Sequence, residues 1–292
     1  MCDNDAFDDM VRYGSDTGGL TRRRFGALGF GVGLASLLPL AAGAAEVKGS
    51  DIEIKTPDGT CDAYFAHPTQ GRHPGVLVWP DIFGLRPAFK EMGRRLAASG
   101  YAVLTINPFY RKQKAPTAPE HPDFNDPATR SSLISLMNSL TAETTLTDAR
   151  AFVPWLDRQS AVDPHRKIGT TGYCMGGPFV FRTAAAFADR IGAGATFHGA
   201  SLVTKTPDSP HLLIPQIKAP FLIAIAQSDD DQQPQAKDVL GAGFAKAGIP
   251  AVIEVCVGTK HGWCPPDSRV YDHDQAEWAW SSLLALFKTA LA

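Results

Sequence analysis

Gly172-Tyr173-Cys174-Met175-Gly176 sets a cysteine between two glycines, after the short run Ile168-Gly169-Thr170-Thr171 and before Gly177 to Ala188, which is rich in Ala and Phe at helical spacing. The pattern reads as a strand, a sharp turn and a helix. Such a turn forces backbone close to backbone, so glycine is needed on both sides of the residue it exposes. Cys174 would then stand at a helix N-terminus, where orphan N–H groups and the helix dipole favour a thiolate over a thiol. This is a way to present a nucleophile.

Two later runs extend the argument. Phe221-Leu222-Ile223-Ala224-Ile225-Ala226 is a continuous apolar run of the buried-strand kind, and it ends in Gln227-Ser228-Asp229-Asp230-Asp231. The alternating run Ala251 to Val257 leads through Gly258-Thr259-Lys260 to His261-Gly262-Trp263. Nucleophile, then acid, then histidine, each at a strand end, is the chain order in which an open α/β sheet carries a hydrolytic triad. Asp229 is the candidate acid, with Asp230 held in reserve because the Asp triplet leaves the register open by one residue. His198, which ends the run Gly194-Ala195-Thr196-Phe197-His198, is a rival base.

The body of the chain alternates strand and helix patterns. Ile52–Thr56 and Ala63–Ala66 flank the turn Pro57-Asp58-Gly59 and read as an antiparallel hairpin at a sheet edge. Val76–Trp79 and Ala102–Ile106 are core strands, with an amphipathic helix from Leu85 to Ser99 between them, closed by Gly100. Prolines then punctuate the stretch from 108 to 141 before a weak helix over Thr129–Leu140, and this stretch reads as a cap inserted at the carboxyl edge of a strand. Further helices are expected over Ala142–Gln159, despite Pro154, and over Gln235–Ala247 and Gln275–Leu291. The fold class is therefore α/β, a mostly parallel, doubly wound sheet in one domain spanning 46–292.

Residues 1–45 follow a different logic. Thr21-Arg22-Arg23-Arg24-Phe25 precedes a Gly/Ala/Leu run and small residues before Glu46, which reads as a twin-arginine export signal and a periplasmic or secreted destination. The acidic start, Asp3 to Asp9, is unusual for such a segment, and a retained N-terminal anchor or the amphiphilic tail of a cytoplasmic enzyme are the alternatives. The apolar stretch is too short and glycine-rich for a membrane span. The export machinery is accordingly an expected partner, and the mature chain is expected to be a monomer.

A net charge of −2 over 292 residues, with no basic cluster outside that segment, removes the electrostatic basis for nucleic-acid binding. Hydrophobic residues at 44% and charged residues at 20% are those of an ordinary globule. Cys61, Cys174, Cys256 and Cys264 form no paired metal-ligand spacing, so neither metal nor cofactor is expected. A disulfide among Cys61, Cys256 and Cys264 is compatible with an oxidising compartment.

Taken together, Trp79-Pro80-Asp81-Ile82-Phe83-Gly84, Asn107-Pro108-Phe109-Tyr110, the glycine-flanked Cys174 and His261-Gly262-Trp263 resemble the dienelactone hydrolase family over essentially the whole mature chain. The resemblance implies an α/β-hydrolase fold, a Cys174–Asp229–His261 triad without metal, and hydrolysis of a lactone or carboxylic ester of the kind met in aromatic degradation. By the same resemblance the N–H groups of Ile82 and Met175 form the oxyanion hole, and Asp81, Arg130 and Trp263 serve substrate binding or thiol activation. Two departures stand out. Asp81 replaces the glutamate that contacts the thiol in family members opening dienelactone, and Pro265 stands where their second substrate-binding arginine would be. Two readings of other kinds remain: a scaffold that binds a small ligand without turning it over, and a redox-sensing thiol resolved by Cys264.

Overall fold

The computed structural model describes residues 45–119, 122 and 124–292. Apart from Ala45, the export-signal reading lies outside the described residues, as does the cap stretch at 120, 121 and 123. The first elements are the strands β1 (Val47–Thr56), β2 (Gly59–Pro68) and β3 (Gly75–Trp79), helix α1 (Pro87–Ala98), strand β4 (Ala102–Ile106), and helices α2 (Pro127–Met137) and α3 (Ala142–Asp157). The central unit is β5 (Ile168–Tyr173), a 3₁₀ turn over Cys174–Gly176, α4 (Gly177–Ala186) and β6 (Ile191–Phe197). The chain closes with β7 (Phe221–Ala226), α5 (Gln227–Gln232), α6 (Ala236–Ala247), β8 (Ala251–Cys256) and α7 (His273–Ala290).

The strands form one eight-stranded sheet in the order β1-β2-β4-β3-β5-β6-β7-β8. The edge hairpin is present, β1 antiparallel to β2 and β2 antiparallel to β4, and every later pairing is parallel. Because side chains alternate between faces, each strand feeds two cores. Leu77, Trp79, Leu104 and Ile223 join one hydrophobic cluster, while Val76, Val78, Val103 and Leu222 join the other.

Register decides where the chemistry collects. Trp79 pairs with Gly172, Gly172 with Thr196, Phe197 with Ala224, and Ala226 with Cys256. The carboxyl ends of β3, β5, β6, β7 and β8 are therefore level, and the residues just beyond them emerge along one rim: Ile82, Cys174, His198, Asp229 and His261.

The boundaries that differ from the sequence reading have local causes. Helix α1 begins at Pro87 rather than Leu85, because Arg86 is extended, as a residue before proline prefers. Strand β8 stops at Cys256, where Gly258 turns the chain with φ +79°. The Asp triplet beyond the end of β7 sits on the short helix α5. A 3₁₀ segment, Pro210–Gln216, had no clear sequence signal. Pro154 is accommodated inside α3, whose start is fixed by a capping box between Thr141 and Thr144.

The insertion after β4 is tied down. Asn107 donates to Asp62 and to the Gln113 carbonyl, and its own carbonyl oxygen accepts from Phe109 N–H. Arg111 and Tyr110 both donate to the buried Asp148 of α3, and Arg111 also reaches Asp58 in the hairpin turn. Phe124, Leu133, Leu136 and Met137 pack into the same hydrophobic cluster as Cys174, Met175 and Ile82. Among the described residues no helix is long and apolar enough to cross a membrane.

Candidate active site

The turn after β5 has the geometry its glycines require. Cys174 adopts φ +51°, a left-handed conformation that costs a non-glycine residue about 1–3 kcal/mol and is held only by surrounding structure. A β-carbon on Gly172 would overlap the Gly176 carbonyl, and one on Gly176 would overlap the Trp79 carbonyl oxygen and lie 2.9 Å from that of Pro80. Contact between the turn and the end of β3 thus brings the segment carrying Ile82 against the segment carrying Met175. The Cys174 carbonyl accepts from Ala200 N–H at 3.0 Å, which fixes the turn from the β6 side.

Asp229 and His261 come together. The His261 Nδ1–H donates to the Asp229 carboxylate, with 3.0 Å to Oδ1 and 2.9 Å to Oδ2. Asp230 points elsewhere and pairs with Lys237 at 2.6 Å. The loop before His261 is pinned to α5 by three bonds that the sequence reading missed: Ser228 Oγ accepts from His261 N–H, the Thr259 carbonyl accepts from Ser228 N–H, and Thr259 Oγ1 accepts from Gln227 N–H. No periodic pattern signals such bonds, because they join two separate strand ends.

Burial by itself would drive the His261 imidazolium towards its neutral form. The charges of Asp229 and Cys174, each reinforced by a hydrogen bond, outweigh it and hold the ring well above the ordinary histidine value. Nε2 is buried without a partner of good hydrogen-bond geometry, and Cys174 is the group coupled to it. Bonds of this kind commonly tighten only when substrate is bound. The arrangement suits a thiolate–imidazolium pair oriented by a carboxylate.

His198 lies against this pair rather than replacing it. Its ring meets that of His261 edge to face, centroids 5.1 Å apart, and is fully buried beside Tyr173 and Trp263. Among the described residues neither ring nitrogen has a hydrogen-bond partner. Burial first, and then the neighbouring His261 charge, push it well below the ordinary value, so it stays neutral. It is bonded to no carboxylate that would orient it as a base.

The structure gives each of the three residues assigned to substrate or activation its own surroundings. The Asp81 carboxylate binds Arg86, with Nη1 to Oδ1 at 2.6 Å and Nη2 to Oδ2 at 3.0 Å, and accepts from Phe83 N–H. It shapes the loop after β3. Trp263 is fully buried in the cluster beneath α7, so it packs the site from behind and presents no surface to a ligand. Arg130 is half-buried on α2 with its guanidinium 5.5 Å from the centre of the Phe124 ring. Cys61, Cys256 and Cys264 are buried thiols, and among the described residues they form no disulfide. Burial is the main cause that raises all three, Cys256 to about 12. Among the described residues no group of three or more His, Cys, Asp or Glu stands close enough to hold a metal.

The site is closed over. Cys174 is 2% exposed and His261 1%, and the insertion's apolar residues share their cluster with the thiol.

The dienelactone hydrolase family profile matches residues 61–291. A Bradyrhizobium protein named "Probable 2-oxo-3-(5-oxofuran-2-ylidene)propanoate lactonase" is 27% identical over 242 residues, covering 80% of this chain and 91% of that protein. An Escherichia coli (strain K12) protein named "Putative carboxymethylenebutenolidase" is 25% identical over 235 residues, covering 77% of this chain and 81% of that one. Among solved structures, a Klebsiella pneumoniae protein titled "Putative Dienelactone Hydrolase" superposes with a TM-score of 0.71 at 23% identity, covering 83% of this chain and 99% of that one, which shows the shared fold. With strand order, rim and profile in agreement, this chain belongs to the dienelactone hydrolase family.

Proposed function

We propose that the chain hydrolyses a lactone or carboxylic ester through a covalent thioacyl intermediate on Cys174. The observation that carries this reading is the Asp229–His261 hydrogen bond beside a cysteine on a strained turn, with the imidazole coupled electrostatically to that cysteine. The Cys174 thiolate attacks the carbonyl carbon, and the N–H groups of Met175 and Ile82 receive the oxyanion. Collapse expels the alkoxide, which takes the proton from the His261 imidazolium. His261, held in one tautomer by Asp229, then takes a proton from water as the water attacks the thioester, and the acid leaves with the thiolate restored. The lactonase and carboxymethylenebutenolidase names of the relatives support the reaction class.

The test is hydrolysis of lactones and activated aryl esters by the wild type and by Cys174→Ala, with mass spectrometry of the acylated protein under rapid quench. Turnover that survives Cys174→Ala would overturn the reading. The near-complete burial of Cys174 is the one observation that also suits a non-catalytic binder, and absence of any turnover beside tight binding of a lactone would favour it. We further propose export through the segment Thr21 to Ala45, supported by its paired arginines and small residues, and testable by Arg22→Lys and Arg23→Lys in a localisation assay.

A further inference from the structure

A cavity of about 980 Å³ adjoins the loop after β3 and begins at Phe83, one residue beyond Ile82. One wall is the loop carrying the proposed oxyanion donor, through Phe83 and Arg86. The insertion supplies Pro116 and Phe124, and the loop after His261 supplies Asp267 and Val270. This volume is at the upper end of the roughly 300–1,000 Å³ typical of sites for drug-sized ligands, and far more than a small lactone ring fills.

The charge in that wall is already spoken for. A guanidinium has five N–H donors. Those of Arg86 go to Asp81 from Nη1 and Nη2, to Asp267 from Nε at 2.6 Å and Nη2 at 3.0 Å, and to the Gly84 carbonyl from Nη1 at 3.4 Å. The rings of Phe83 and Phe89 lie 5.3 and 4.8 Å from its carbon, so its π-surface is in contact as well. Lys90 pairs with Asp51, and the other charged residues of the lining, Arg269 and Glu91, are of opposite sign. Among the described residues Arg86, the guanidinium fixed between two of the walls, has no pair of donors left to clamp a substrate carboxylate.

We propose that this cavity receives an uncharged, bulky apolar group, so that the substrate is a neutral ester with an aromatic-sized substituent and not a carboxylate-bearing lactone. The proposal rests on Cys174 as nucleophile. Arg86 is a positioning residue that ties the loop after β3 to the loop after His261.

The experiment compares p-nitrophenyl phenylacetate with mono-p-nitrophenyl glutarate, using p-nitrophenyl acetate as a substrate too small to report on the cavity. The neutral bulky ester is expected to exceed the anionic one in kcat/KM by about tenfold or more, chiefly through KM. Asp267→Ala frees two donors of Arg86, those of Nε and Nη2, and is expected to lower KM for the anionic ester by about tenfold. Val270→Lys, which adds a cation without disturbing Arg86, should move KM in the same direction. Equal or better use of the anionic ester by the wild type, with acetate hydrolysis still dependent on Cys174, overturns this proposal alone. Acetate hydrolysis that is absent, or that survives Cys174→Ala, overturns the nucleophile reading and this proposal with it.

Discussion

A β-carbon at Gly176 would overlap the carbonyl oxygen of Trp79, so the turn that carries Cys174 is seated directly on the end of β3. Gly176→Ala must push these two backbones apart. The expected cost is about 1–3 kcal/mol of stability, the range for overpacking a tight site. Urea denaturation measures it. Because the same displacement separates Ile82 from Met175, kcat should fall more than KM rises. A variant as stable and as active as the wild type would show that the contact is slack.

Asp229 and Asp230 differ by one position and, in this structure, by partner. Asp229→Asn should lower kcat/KM by roughly 10⁴, since an amide no longer fixes the histidine tautomer. Asp230→Asn removes an ion pair with Lys237 that is partly exposed, and should leave kcat/KM within about twofold, in line with the small worth of such pairs. Steady-state kinetics on one activated ester decides between them, and equal losses would defeat the assignment.

His198 is held neutral by burial while its unfolded counterpart titrates near 6.5. Its native value is depressed, so above the unfolded value it costs nothing. As pH falls below about 6.5 the unfolded state takes up a proton that the native state refuses, and stability declines. His198→Asn, a residue that tolerates the positive φ of this position, should flatten that acid-side decline whatever its effect on stability at neutral pH. His261 has the opposite sign. Its raised native value contributes stability below about 6.5 that is lost as pH rises through the native value. Denaturation midpoints from pH 5 to 9 for the wild type and His198→Asn provide the comparison, and parallel curves would refute the linkage.

Cys174 is covered, so alkylation should require local opening of the insertion rather than simple collision. Leu133→Ala, which thins the apolar face of α2, should speed iodoacetamide labelling by about tenfold, a loosening of roughly 1.4 kcal/mol. Cys174→Ala supplies the background from the other cysteines. A wild-type thiol that already labels at the rate of an exposed cysteine would show that the cover does not exist in solution.

How much of this was legible depends on the range of the interaction. The strands from Val76 to Trp79 and from Phe221 to Ala226 announce themselves as apolar runs, and Gly172 and Gly176 announce a turn, because burial on both faces and backbone crowding act on neighbouring residues. The order cysteine, acid, histidine was readable for the same reason, since each follows a recognisable strand. Ser228 and Thr259, by contrast, leave no pattern, and Trp263 reads as a site residue although it faces the core.

By itself, then, the sequence determined an α/β sheet with its reactive residues at strand ends. Tertiary structure alone decided which carboxylate meets His261, since one step along helix α5 turns a side chain by about 100°. It alone decided that Arg86 is consumed by Asp81 and by Asp267, which lies 181 residues further along the chain. Side-chain direction and long-range pairing depend on register and rotation between elements, and local composition carries neither.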